Sequence, residues 1–128
     1  EVTQKVYDVD VIKLQQNNSE CELGSVEFFS TDTKNNNSYS LHISPGEVGS
    51  NQFAFHHQSG NATIPYKVRI LNSTIPASFT SIERIVTTKD MNNHWHDYIE
   101  LAISGFTPNV TYDPGDYSSV IKISLTSN

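Results

Sequence analysis

Hydrophobic and polar residues alternate with a period of two along most of this chain. The first residues, VTQKVYDVDVIKL, form one continuous alternating run. Apolar residues occupy both phases of it, Tyr7, Val9 and Val11 on one side and Val2, Val6, Ile12 and Leu14 on the other. Successive side chains of a strand point to opposite faces, so the run predicts a long N-terminal strand that either has both faces in use or contains a bulge.

Similar alternation recurs at short intervals after this run. Strands are expected around Val26 and Phe28 and over 39–43, 53–55, 64–70 and 121–125. Pro65 indicates that its segment is an edge strand or contains a bulge, because proline cannot donate to a strand ladder. The segments 78–88 and 96–106 are compatible with either strand or helix. Clusters of Asn, Ser, Gly and Pro between the segments indicate turns.

The pattern predicts seven or eight short strands with turn signals between them and no convincing helix caps. An all-β, immunoglobulin-like sandwich is the expected architecture. The chain has 128 residues, the length of one domain, and it contains neither an internal repeat nor a linker.

Composition narrows the classes of function. The net charge is −6 with only eight Lys and Arg, so there is no basic patch and nucleic acid is not an expected partner. No stretch approaches the roughly 20 apolar residues of a membrane-spanning helix. Hydrophobic residues make up 36% of the chain, while 12 Asn, 16 Ser and 11 Thr indicate a hydrated outer surface. These hydrophobic residues are only just enough to form one core. A strand supplied by a neighbouring chain would therefore add substantially to the buried surface.

Cys21 is the single cysteine, which excludes an intrachain disulfide and a CxxC metal site. Glu20 and Glu22 would raise the pKa of its thiol, so a nucleophile is disfavoured and a small residue at the end of a strand is expected. There is no nucleophile-elbow motif and no Gly-rich phosphate loop. The chain is expected to be neither an enzyme nor a holder of a cofactor.

Both chain ends are apolar strands, which invite aggregation unless they are covered. A subunit that pairs such strands with other chains turns this liability into assembly. In β-strand addition, main-chain hydrogen bonds supply affinity and alternate side chains supply register.

The C-terminal sequence GDYSSVIKISLTSN resembles the closing strand of chaperone–usher fimbrial subunits (pilins). Gly115 begins the last 14 residues, and Ile121, Ile123 and Leu125 follow in the alternating phase. GNATIPYKVRI resembles the mid-chain "IPY" strand of pilins, and the N-terminal run followed by Cys21 resembles a donor strand and strand A. Ser127 stands where Tyr is typical, and the usual second cysteine is missing. The ending SLTSN is most similar to thin-fibre colonization-factor subunits.

The resemblance implies an incomplete sandwich that is completed by a donor strand from a neighbouring subunit. Residues 1–13 are the implied N-terminal extension and residues 14–128 the pilin domain, with residues 1–12 donated. The implied donor-strand residues are Val2, Val6, Tyr7, Val9 and Val11. Residues 117–125 are the implied acceptor groove and the pairing edge for the chaperone, with Gly115, Tyr117, Ile121, Ile123 and Leu125 as its site residues.

The implied partners are identical or related pilin subunits, a periplasmic chaperone, an outer-membrane usher and a host glycan or protein receptor. The implied location is the bacterial cell surface, reached through the periplasm. The chain begins at Glu1, as a processed mature chain does. The implied function is a structural and adhesive fimbrial subunit that mediates attachment to host cells.

Two alternatives from other classes remain open. His94, His96 and Glu100 reproduce the HxHxxxE core of a cupin metal site, which predicts a small metal-binding β-barrel. The second cupin motif does not follow. Trp95 beside Tyr98 could stack against a glycan, as in a secreted carbohydrate-binding sandwich. For Trp95, packing in the core is the competing interpretation.

Overall fold

The computed structural model of this chain describes residues 8–17, 20–30, 39–47, 50–87, 89, 91, 95–107 and 111–127. Within these residues the chain forms one short helix and nine strands. In chain order they are α1 (Val11–Asn17), β1 (Cys21–Ser30), β2 (Tyr39–Pro45), β3 (Ala54–His57), β4 (Thr63–Pro65), β5 (Lys67–Ile70), β6 (Ile82–Val86), β7 (Trp95–Ser104), β8 (Tyr117–Ser118) and β9 (Ile121–Ser127).

The described strands form three small antiparallel sheets of three strands each. Their orders are β1-β7-β5, β6-β2-β9 and β4-β3-β8. The expectation of a mostly β protein is therefore confirmed, and both segments of ambiguous type are strands, β6 and β7. One hydrophobic core joins residues of all three sheets.

The centre of the second sheet is β2, which pairs with β6 on one side and β9 on the other. Its alternating residues Tyr39, Leu41 and Ile43 are buried. The alternating pattern places these three residues on the inward face of the strand, and their burial confirms that prediction. A strand paired on both sides keeps its inward side chains from solvent, because neighbouring rows cover them.

The predicted strand over 64–70 is two strands in different sheets. Ile64, Tyr66, Val68 and Ile70 are all at most 2% exposed, so the predicted inward face is confirmed. The chain leaves the third sheet after Pro65 and joins the first at Lys67, while the Tyr66 amide donates to the Phe53 carbonyl. Pro65 lies in β4, an edge strand, as its missing N–H requires.

A polar link joins β6 to β7. Arg84 stands opposite Leu41 in the ladder, and its Nε lies 3.1 Å from Asp97 Oδ2. Both side chains are mostly buried, and Asp97 also accepts the Tyr98 amide at 2.8 Å. Because a half-buried charge is costly without a partner, the pair fixes how these two strands approach each other.

The predicted N-terminal strand is wrong over residues 11–14, which begin helix α1. Asp10 precedes the helix, and its Oδ1 accepts the Lys13 amide at 3.1 Å, as an N-cap side chain does. The Leu14 amide donates to the Asp10 carbonyl, which closes the first turn. The alternation of this segment could not show the helix, since Val11 and Leu14 also lie at the i, i+3 spacing of a helix face.

Candidate functional site

Strand β9 is the edge of its sheet in the described part of the chain. It pairs along its whole length with β2, from Tyr39 opposite Ser127 to Pro45 opposite Ile121, and no described strand lies on its other side. An unpaired strand edge presents N–H and C=O groups that can template another strand.

Burial falls sharply from β2 to this edge. Leu41 and Ile43 are 1% and 0% exposed, whereas their direct cross-strand partners Leu125 and Ile123 are only half-buried. Ile121, further along β9, is half-buried too, and all three β9 residues pack against the core. The apolar row therefore continues to an edge where one side of each residue is uncovered.

Strand β1 is the corresponding edge of the first sheet, and β7 is its one partner among the described strands. Its residues Cys21, Leu23 and Val26 are half-buried and pack against the core. A bulge interrupts the ladder between Glu22 and Gly24, where Gly24 has a φ of 127°. Cys21 is the first residue of β1, as the sequence indicated. Two sheet edges thus carry half-buried apolar rows.

Residue Glu20, just before β1, forms an ion pair that sequence reasoning missed. Arg69 on β5 donates through Nε and Nη2 to the two Glu20 carboxylate oxygens at 2.8 and 2.6 Å. The hydrogen bonds from Arg69 hold the pKa of Glu20 below its ordinary value, although burial acts in the opposite direction. The pair ties the start of an edge strand to β5 across β7.

The predicted donor-strand residues divide into two groups. Val2, Val6 and Tyr7 lie outside the described residues. Val9 and Val11 pack against the core of their own chain, as does Leu14. Gln15 on α1 is buried and donates to the Thr107 carbonyl at 2.7 Å. The segment from Val9 onward is therefore docked on its own domain.

The predicted Gly115 lies in a tight turn before β8. Its φ is 133°, a region that residues with a side chain rarely adopt, and an added Cβ would lie 2.5 Å from His57 Nε2. The Ser59 amide donates to His57 Nδ1, so His57 Nε2 carries the proton and donates to the Pro114 carbonyl at 2.7 Å. His57 was missed as an anchor of this turn.

The predicted closing segment is divided between two sheets. Tyr117 begins β8, which pairs with β3, whereas Ile121 begins β9. Between them, the Ser119 hydroxyl hydrogen-bonds the buried Tyr66 hydroxyl at 2.6 Å. Burial raises the pKa of Tyr66, so its phenol stays neutral. The structure thus brings the "IPY" tyrosine and the closing segment together.

The three predicted metal ligands show no metal site in the described part of the chain. His94 lies outside it. His96 Nε2 is 2.7 Å from Glu27 Oε1 on the neighbouring strand, and the Glu100 amide donates to Asn72 Oδ1. Among the described residues, no group of three His, Cys, Asp or Glu could hold a metal ion.

The predicted glycan platform is described only in part. Tyr98 lies on β7 and is 48% exposed, so its ring is open to solvent. Trp95 begins β7, but its side chain is outside the described structure. The pairing of these two rings stays a prediction.

Comparison of the chain with protein-family models, with curated proteins and with solved structures returns no match. Among the residues described, no helix has the length and apolarity to cross a bilayer.

Proposed function

We propose that this chain is a structural and adhesive subunit of a bacterial surface fimbria, assembled through the chaperone–usher pathway by donor-strand exchange. The observation that carries the proposal is the open edge of β9. Its inward residues Ile123 and Leu125 are half-buried, while their partners on β2 are fully buried. A donated strand pairing with this edge would cover that row and satisfy its main-chain groups.

The strand order supports an incomplete immunoglobulin-like sandwich. In that fold one sheet has the order A-B-E-D and the other contains C, F and G. With β1, β7 and β5 as B, E and D, and β2 and β9 as C and F, the observed neighbours agree. The places beside β1 and β9, those of A and G, have no described strand. Strand β6 and the third sheet, β4-β3-β8, are additions to the scheme.

The energetics are adequate for a stable fibre. With Val9 and Val11 packed on their own domain, three implied donor residues remain, Val2, Val6 and Tyr7. Burying three apolar side chains at about 1.5–3 kcal/mol each gives on the order of 4–9 kcal/mol before the entropy cost. A small domain as a whole is stable by about 5–15 kcal/mol. A donated strand therefore contributes an amount comparable to the lower end of that range, and the polymer is expected to be more stable than the isolated subunit.

Deleting residues 1–7 tests donation by the N-terminal segment. This deletion spares Val9, Asp10 and α1, which contact the chain's own domain. Co-expressed with its chaperone and usher, the truncated chain should form no heat-resistant ladder on unboiled gels. A chain in which an equally long Gly/Ser segment replaces residues 1–7 separates loss of sequence from loss of length. Ladders of normal length from either variant would refute the proposal.

Appending a copy of residues 1–12 after Asn128 through a flexible linker tests the acceptor edge. The copy should fill the edge of β9 in the same molecule and give a monomer with a raised melting temperature. The same chain with Val6→Asp in the appended copy is the control, and it should melt like the wild type. An appended copy that changes neither assembly nor melting would exclude β9 as the acceptor.

A further inference from the structure

A shallow cleft lies next to the Gly115 segment and shares Tyr117 with the implied acceptor groove. It joins the start of β4, the residue Thr107 and the segment that leads into β8, and its volume is about 360 Å³. Ligand pockets are commonly in the range of about 300–1,000 Å³. We call it the tyrosine cleft, after Tyr112 and Tyr117, and its polar lining is Thr63, Thr107, Thr111 and Asp113.

Tyr112 and Tyr117 form the aromatic wall of this cleft, and two contacts hold the Tyr117 ring in position. The Tyr117 hydroxyl donates to the Asp113 carbonyl at 2.8 Å, and its ring meets the His57 ring edge-on at 5.0 Å between centroids. His57 is itself anchored on the Pro114 carbonyl. Tyr112 and Tyr117 are both half-buried and pack against the core. A ligand therefore meets the Tyr117 ring in an orientation that costs little entropy to maintain.

The polar side chains around the aromatic wall have hydrogen-bonding groups that a ligand can use. Within the described structure, the side-chain oxygens of Thr63, Thr107, Thr111 and Asp113 make no hydrogen bond to protein. Three hydroxyls can donate or accept, and the Asp113 carboxylate accepts strongly. None of the described residues that line the cleft is a lysine, arginine or histidine. With a net charge of −6 on the chain, anionic ligands are disfavoured.

We propose that the tyrosine cleft binds a neutral saccharide. A pyranose has an apolar face of C–H groups that can lie on a tyrosine ring, and a rim of hydroxyls that can pair with threonine hydroxyls and a carboxylate. The inference deepens the adhesive part of the proposed function by naming a receptor class. The cleft includes Tyr117 of the implied acceptor groove, but none of its described lining residues lies in β9.

The test is an NMR titration of the full chain with methyl glycosides of glucose, galactose, mannose and N-acetylglucosamine, followed by an array of neutral oligosaccharides. N-acetylneuraminic acid is the anionic probe. At least one neutral glycoside should give saturable shifts at Tyr112, Asp113 and Tyr117. Asp113→Asn should weaken binding about tenfold, the loss of one charge-assisted hydrogen bond. Ile85→Ala removes an exposed apolar side chain on β6, outside the cleft, and should leave affinity unchanged.

Tyr112→Ala should abolish saccharide binding. If that variant does not fold, Thr111→Val, a substitution at an exposed position, takes its place and should weaken binding. Absence of saturable binding to every neutral probe overturns the proposal, as do shifts that map to the Tyr98 face or binding of N-acetylneuraminic acid at equal strength. Binding is measured on the chain whether or not it polymerises. Absence of saccharide binding therefore does not affect the outcome of the strand-donation experiments. Failure of strand donation likewise does not affect the measured saccharide binding.

Discussion

At the scale of single residues, the turn at Gly115 depends on one side chain that the alternating pattern did not indicate. His57 accepts from the Ser59 amide and donates to the Pro114 carbonyl, so it holds two loops together. Its ring occupies the space where a Cβ on Gly115 would lie. The glycine was found by its distance from the chain end, but the reason for it is the histidine.

Gly115→Ala should destabilise the chain by at least about 1–3 kcal/mol, the cost of the positive φ for a residue with a side chain, measured by urea unfolding. Displacing the His57 ring adds to this cost. The His57→Ala background is the control, because it removes the clash and keeps the backbone strain. Gly115→Ala should cost less there. If Gly115→Ala lowers stability equally in both backgrounds, the His57 ring moves aside without a measurable free-energy cost.

Glu20→Gln should lower stability at pH 7 by about 0.2–1 kcal/mol, the range for a solvent-screened ion pair. The folded pKa of Glu20 lies below its ordinary 4.5, so the contribution is full above pH 4.5 and is lost as pH falls through the folded pKa. The difference in unfolding free energy between wild type and variant should therefore vanish in strong acid.

The matched control for the loss of the ion pair is Glu22→Gln, an exposed carboxylate two residues further on with no cation partner in the described structure. At pH 7 it should change the free energy of unfolding by less than Glu20→Gln does. A Glu20→Gln difference that stays constant from neutral pH to strong acid would mean that the Arg69 pair contributes nothing.

At the scale of elements, alternation identified most strands but not their ends or partners. Period two fixed the inward faces of β2 and of residues 64–70, because burial on one face is what the pattern records. It did not show that the latter segment changes sheets at Tyr66, since that depends on a hydrogen bond to the distant Phe53. Nor did it show α1, whose apolar residues suit either a strand or a helix.

Asp10→Ala should destabilise the chain by about 1 kcal/mol, the value of an N-cap side chain. Asp10→Asn should be nearly neutral, since its amide oxygen can still accept the Lys13 amide. Both are measured as shifts of the urea midpoint at constant slope. If residues 10–14 were a strand, Asp10→Ala would be neutral or stabilising, because Asp is disfavoured in strands. Such a result would refute the helix.

At the scale of the whole molecule, the sheets join segments that are far apart in the sequence. β1 pairs with β7, which sets Cys21 opposite Ile103, and β2 pairs with β9, which sets Tyr39 opposite Ser127. The sequence predicted the class of fold and the apolar closing strand. It could not give these pairings, because each depends on which distant strand covers a given face. The tyrosine cleft was missed for the same reason, since it assembles residues from three separate segments.

This topology predicts slow folding. Chains dominated by non-local strand pairing fold in about milliseconds to seconds, because loop closure costs entropy before contacts form. Refolding from urea can be followed by the single tryptophan, Trp95, and a reductant should have no effect with one cysteine. Ile43→Val at the buried β2–β9 ladder should cost about 1 kcal/mol. The same substitution at the exposed Ile85 should be nearly neutral. Complete refolding within microseconds would contradict these ladders, since no local contact could supply such a rate.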